Sequence, residues 1–316
     1  MSLNFGNLLG AMPGGVAQGL IWGFMALGVY ITFRLLDIAD LTVDGSFTTG
    51  GAVTVMLILA GVNPVLAVLA AAAAGMLAGM VTGLLHTIFD IPAILSGILT
   101  QFALYSINLA IMGMSANKGL PVDKYHLFVT SRNIPGSILA GTLLIAFVIA
   151  LLYWYFGTEH GSAMRATGSN PEMSKAQGID ISAMKVIGLA LSNAFVAMSG
   201  GLLSQFQGFA DINMGRGAIV IGLAAVIIGE VLGNALFGKR SNFALRLAFV
   251  AVGGIIYYLV IVIVLWLKLD SNYLKLLTAS VVAVFLAVPN IQTKMKTSFS
   301  RAGKRSVKNA KEAING

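Results

Sequence analysis

Residues 137–156 read SILAGTLLIAFVIALLYWYF, twenty consecutive positions without a charged side chain. A hydrocarbon core ~30 Å thick is crossed by about 20 helical residues rising roughly 1.5 Å each. Gly217 to Leu236 and Leu247 to Leu267 reach the same length, with Glu230 as the single charge between them. The rest of the 316-residue chain agrees, being 57% hydrophobic and 10% charged with a mean hydropathy of +0.88. A soluble domain of this size would expose far more Lys, Glu and Asp, because charged side chains are rarely fully buried. The sequence therefore predicts an all-α, polytopic membrane bundle of about 8–10 spanning or partly spanning helices.

Composition narrows the class further. Gly is abundant at 37 residues, which suits helices that approach closely in lipid. Gly75, Gly79 and Gly83 stand four apart and predict a close-packing face, within one chain or between two. No Cys is present, which excludes disulfides, thiolate metal sites and cysteine nucleophiles. His86, His126 and His160 are scattered and predict no metal site. The first dozen residues lack the basic start and cleavage site of a signal peptide. The net charge of +8 does not point to nucleic acid, because seven of the 20 basic residues fall in the last 23 positions, from Lys294 to Lys311. A basic tail after the final hydrophobic run predicts a cytoplasmic C-terminus. The expected division is a membrane domain over 1–289 and a basic cytoplasmic tail over 290–316.

Counting back from that tail orients the spans. Leu269 to Pro289 enters from outside, and the loop 238–246, with Lys239, Arg240 and Arg246, lies inside. The loop 157–182, the longest polar stretch between two spans, also lies inside. The outer loop 114–136 carries Lys118, Lys124 and Arg132, a mild departure from the charge rule. Near the start, Arg34 to Ser46 (RLLDIADLTVDGS) interrupts the apolar pattern with three acids and a Gly-Ser step. It is either an aqueous loop or an unwound segment lining a cavity at membrane depth. The next span is expected to begin at Thr48. Trp22, Trp154 and Trp266 fall within or near span ends, as an interfacial aromatic belt would.

The inner loop holds a short helix specified at both ends. Asn170 is a good N-cap, Pro171 suits the first helical position and Glu172 complements the positive helix end. Gly178 supplies a left-handed stop, so a helix over Pro171 to Gln177 is predicted. It is either a helical turn in an ordinary loop or an element that transmits force from a cytoplasmic partner.

The run GSAMRATGSNPEMSKAQGID, followed by a span containing SGGLL, resembles the coupling loop of binding-protein-dependent ABC importer permeases of the branched-chain amino acid and ribose type. The matching residues are Gly161, Arg165 and Ala166, Gly168, Asn170, Ala176, and Gly178 with Ile179. The early DIADLTVDGSFTTGGAV resembles the same family, and most closely its aromatic amino acid (tryptophan and tyrosine) uptake subgroup. The likeness covers roughly Gly15 to Pro289. It implies a membrane-spanning subunit without enzymatic activity in the cell membrane. Its implied partners are a second permease copy, two copies of an ATP-binding subunit and an extracytoplasmic substrate-binding protein. ATP and Mg would sit on the ATPase, consistent with the absence of a Walker motif here. The resemblance also implies that Pro171 to Gln177 docks in the ATPase, with Arg165 and Glu172 available for charged contacts.

A translocation path needs polar groups at depth, where ionisable residues are costly and usually functional. Asp44, followed by Ser46, Thr48 and Thr49, is the expected path-lining segment, where a carboxylate would meet a substrate ammonium. Asp37 and Asp40 are expected at the headgroup interface. Gln101, Tyr105 and Asn108 fall at i, i+4 and i+7 and share one helix face, either along the path or as interhelical contacts. Asn193, Ser199 and Ser204 are expected to be such contacts. Glu230 is a possible gate, or an interfacial acid facing Lys239 or Arg240. The rival readings are a stand-alone secondary transporter, which also uses broken helices and buried acids, and a structural membrane protein. Within the importer reading, branched-chain amino acids, nucleosides and sugars stand behind an aromatic amino acid.

Overall fold

The computed structural model describes residues 5–125, 127–238 and 242–267, together with 276, 279, 280 and 283. Apart from those four positions, the expected last span, Leu269 to Pro289, lies outside the described residues, as do the basic tail, His126, Lys239 and Arg240. The chain divides into two units, Met1–Leu269 and Asp270–Gly316, and the first is described here. Among the described residues, eight helices are long and apolar enough to cross a membrane. They are α1 (Phe5–Tyr30, continued by a π turn over Ile31–Leu35), α2 (Thr42–Leu59), α3 (Pro64–Thr87), α4 (Ala93–Ile111), α5 (Ile134–Gly157), α8 (Ile181–Gln207), α9 (Ala218–Phe237) and α10 (Phe243–Trp266). Between α5 and α8 lie two shorter helices, α6 (Glu159–Ser169) and α7 (Pro171–Ala176). The protein is a polytopic all-α bundle.

Helices α1, α2 and α8 form its buried centre, and small residues let them approach. A methyl group on Gly75 or Gly79 would strike the Asn193 or Leu189 carbonyl of α8, and on Gly83 would come within 2.8 Å of the Val186 Cα. The three-glycine face of α3 is thus spent on α8 inside the same chain, which settles the choice left open by its spacing. Polar groups then hold helices where hydrophobicity gives no preference over lipid. Ser192 Oγ donates to the Gly28 carbonyl at 2.8 Å and Ser199 Oγ to the Ile21 carbonyl at 2.7 Å, tying α8 to α1. Ser204 Oγ instead donates within its own helix, to the Gly201 carbonyl. Thr42, Thr82 and Thr100 form a hydroxyl chain across α2, α3 and α4, with steps of 2.7 and 2.9 Å.

Trp22 departs from the belt expectation. It is 5% exposed and stacks on Phe47 at 4.9 Å and on Tyr258 at 5.8 Å between ring centroids. Gly23 beside it lets α10 close in on α1, so this ring fills the bundle rather than the interface. Trp154 is exposed on α5, and Trp266 packs edge-on against Phe5.

The two connections opposite the α6 end of α5 are also joined. Strand β1 (Asn117–Gly119) pairs antiparallel with β2 (Phe209–Asp211) in the register Asn117 to Asp211. Arg132, one of the basic residues that strained the charge rule, pairs with Asp123 in the same region.

Candidate functional site: a polar cavity and a wedged helix pair

The break after α1 is shorter than its sequence suggests. Residues 36–41 connect the spans, and helix resumes at Thr42 rather than Thr48. Asp37 is exposed with a φ of 55°. Asp40, expected at the headgroup interface, is enclosed by the bundle and only 2% exposed. Its Oδ1 accepts the Thr42 N–H at 2.9 Å and its Oδ2 accepts the Asn193 amide at 2.6 Å. Burial pushes this carboxyl, which lies outside the spanning helices, above the usual carboxylate range, against the lowering effect of its bonds to Thr42 and Asn193. Asp40 therefore starts α2 and anchors it to α8, and Asn193 is the interhelical contact its sequence position suggested.

One turn further on, Asp44 meets a different element. Its Oδ2 accepts the Gly217 N–H at 2.8 Å and its Oδ1 the Ile219 N–H at 2.9 Å. The carboxylate thus caps the start of α9, where unpaired backbone donors and the helix dipole favour negative charge. Gly45 and Ser46 belong to the first turns of α2 and are buried, so the Gly-Ser step is neither a loop nor an unwound segment.

A cavity of about 270 Å³ opens here, lined by Asp44, Gly45, Thr48, Gln101, Phe102, Tyr105, Asn108, Ile212 and Arg216. Five of the seven residues singled out for the path, Asp44, Thr48, Gln101, Tyr105 and Asn108, share it. Ser46 and Thr49 do not: both are buried away from the cavity. At 100° per residue Asp44 and Thr48 share a face of α2 while Ser46 lies opposite, and the Thr49 hydroxyl is bonded back to the Gly45 carbonyl at 3.0 Å. Arg216 is a cavity residue that the sequence reading misses, although a lone Arg before a Gly at the start of a span is a visible signal. Phe102, which supplies the α4 edge beside Tyr105, looks like any lipid-facing aromatic in sequence.

Glu230 pairs with Arg34 at 2.7 Å; Lys239 and Arg240, its expected neighbours, lie outside the described residues. This ion pair joins the π turn at the end of α1 to α9.

The second candidate region is the α6–α7 connection. Only the α7 part is expected from sequence, and α6 carries its own signal: Thr158 caps it by accepting the Gly161 N–H at 3.3 Å, with Glu159 in the first turn. Gly161 and Gly168 are where α6 touches the bundle. A side chain on Gly161 would strike the α5 backbone at Tyr155 and Phe156, and one on Gly168 the Leu35 carbonyl at the end of α1. Met164 between them is fully buried. Helix α6 is therefore wedged between α5 and the break after α1.

At its end Asn170 turns the chain and caps α7, its Oδ1 accepting the Met173 N–H at 3.1 Å. Ser174 Oγ donates back to the Asn170 carbonyl at 2.9 Å. Gly178, at φ 83°, stops the helix in the left-handed region that Gly enters without strain. Asp180 then caps α8 through the Ala183 N–H at 3.0 Å. The expected short helix is present, one residue shorter at its end. Pro171, Glu172 and Ala176 are exposed on it, and Ile179 packs against the core. Ala166, Asn170 and Met173 help line a groove of about 160 Å³ between the two helices. The Arg165 guanidinium lies over the Phe243 ring of α10, 5.8 Å from its centroid.

Residues 12–288 match the family described as branched-chain amino acid transport system, permease component. The chain belongs to this family.

Among its relatives is a protein of Clostridioides difficile named tyrosine transport system permease protein, 41% identical over 89% of this chain and 92% of the relative. An uncharacterized protein of Rickettsia prowazekii is 34% identical over 85% of this chain and 94% of its own. The autoinducer 2 import system permease protein LsrC of Yersinia pseudotuberculosis is 30% identical over 68% of this chain and 60% of the relative. No solved structure matches. The protein is thus a multi-pass membrane permease component of an ABC-type importer and not itself an enzyme; ATP hydrolysis lies with separate subunits. A permease of this family works with an ATPase and a binding protein.

Proposed function

We propose that this permease forms the path by which an ATP-driven importer passes an amino acid, an aromatic one foremost, delivered by an extracytoplasmic binding protein. The observation that carries the ATP-driven part is the α6–α7 pair: α7 is capped at both ends, exposed on its surface, and fixed through α6 to the backbone at Leu35. A push on α7 would pass through Gly168 to the break at 36–41, whose far end places Asp44 at the cavity. In this reading α7 docks in the ATPase, with Arg165 and Glu172 at the contact, and ATP and Mg bind on that partner. The C-terminus and the α6–α7 end then face the cytoplasm, and the Arg34 to Glu230 pair at that end is a candidate gate. The substrate class rests on the Clostridioides difficile relative named for tyrosine transport.

Two copies of the permease are proposed to share the path. The cavity wall includes exposed Phe102, Tyr105 and Arg216 beside Asp44. Charges facing hydrocarbon are costly, so protein or water must cover that side. A mass measurement on the detergent-solubilised complex is expected to give two permease and two ATPase copies. One permease copy in a complex that still transports would refute the shared path. A stand-alone secondary transporter would need no exposed, doubly capped α7 and would purify active without an ATPase.

A further inference from the structure

The cavity between α2, α4 and the start of α9 holds two opposite charges that do not pair. Asp44 and Arg216 both line it, yet the ion pairs among the described residues are Arg34 with Glu230 and Arg132 with Asp123. The Asp44 oxygens are turned onto the N–H groups of Gly217 and Ile219. The Arg216 guanidinium, adjacent in sequence to Gly217, has no ion-pair partner among the described residues. On the α4 wall, Asn108 is 1% exposed. Its amide nitrogen donates to the Gly45 carbonyl at 3.4 Å, and its Oδ1 has no hydrogen-bond partner among the described residues. A buried acceptor without a donor is costly to leave so. Phe102 and Tyr105 add exposed aromatic surface to the same cavity.

An unpaired cation, an unpaired buried acceptor, a carboxylate and two aromatic rings in one small cavity match one chemical class. An α-amino acid carries a carboxylate, an ammonium and a side chain on a single carbon. At about 270 Å³ the space is near the lower end of the ~300–1,000 Å³ of ligand sites, enough for one such molecule. We infer that Arg216 reads the carboxylate of the transported solute, while Asn108 Oδ1 and Asp44 receive its ammonium. Arg216 is then a specificity-determining residue that separates amino acids from amines, sugars and nucleosides, none of which offers a carboxylate. This rests on the amino-acid reading proposed above.

Equilibrium binding of L-tyrosine and of tyramine, its carboxylate-free counterpart, to the purified full-length permease tests it. Hydrogen bonds to charged groups contribute about 1.5–3 kcal/mol, so the wild type is expected to hold L-tyrosine at least about tenfold more tightly than tyramine. Arg216→Gln removes that preference without lowering the melting temperature, and Arg216→Lys restores part of it. Asn108→Leu weakens both ligands together. Wild-type protein that binds neither ligand overturns the amino-acid reading and this inference with it. A wild-type preference that survives in Arg216→Gln overturns the role of Arg216 alone. Loss of nothing but binding-protein capture in Arg216→Gln also overturns that role, and would make Arg216 a docking contact.

Discussion

Ala176→Asp is expected to leave membrane insertion and the melting temperature near wild type, while ATPase association and ATP-driven uptake are lost together. Ala176 is exposed at the end of α7, so the substitution buries nothing. An acid in the last turn opposes the helix dipole by only about 0.3–1 kcal/mol, too little to unfold the bundle. A single turn and a half of helix is marginal on its own, however, and its caps at Asn170 and Gly178 hold it ready for a partner. A charge buried without a counter-charge at a docked surface costs several kcal/mol, which is enough to remove a complex. Co-purification of the ATPase, measured beside uptake, checks both effects at once. Full association with wild-type uptake in Ala176→Asp would show that α7 is an ordinary loop helix.

Asp44→Asn is expected to lower uptake by an order of magnitude or more, and Asp37→Asn to have little effect, with both proteins inserted. The reason differs from the flexible Gly-Ser step that the sequence suggests. Asp44 offers two carboxylate oxygens to two N–H groups at the start of α9. Asn presents one acceptor in their place, and hydrogen bonds to a charged acceptor contribute about 1.5–3 kcal/mol each. The change therefore loosens the contact between α2 and α9 at the cavity itself. Asp37 is exposed and holds a turn, which Asn also tolerates. Transport rates normalised to inserted protein measure the difference. Equal loss in the two variants, or none in either, would remove Asp44 from the path.

The spans are legible in the sequence because lipid imposes a length and a polarity on every crossing helix, and each of the eight described spans coincides with an apolar run. The α7 helix is legible because its caps are local, at Asn170 and Gly178. The start of α2 is misread because three acids suggest water. Asp40 is buried against Asn193, 153 residues away, and the half-buried Asp44 is bonded to Gly217, 173 residues away. Partners at such distances leave no trace in a local pattern. The pairing of β1 with β2 joins strands about 90 residues apart, and at three residues each they are too short to show an alternation. Trp22 is misplaced for the same reason as Asp40: its neighbours Phe47 and Tyr258 come from other helices. Of the cavity, the α2 and α4 faces can be read from periodicity, whereas Arg216 enters it only because α9 begins beside Asp44.

Uptake of radiolabelled L-tyrosine into proteoliposomes holding the permease, its ATPase and its binding protein tests the central claim most directly. Accumulation that requires ATP, the ATPase and the binding protein together is the expected result. Accumulation by the permease alone, driven by an ion gradient and indifferent to ATP, would contradict it.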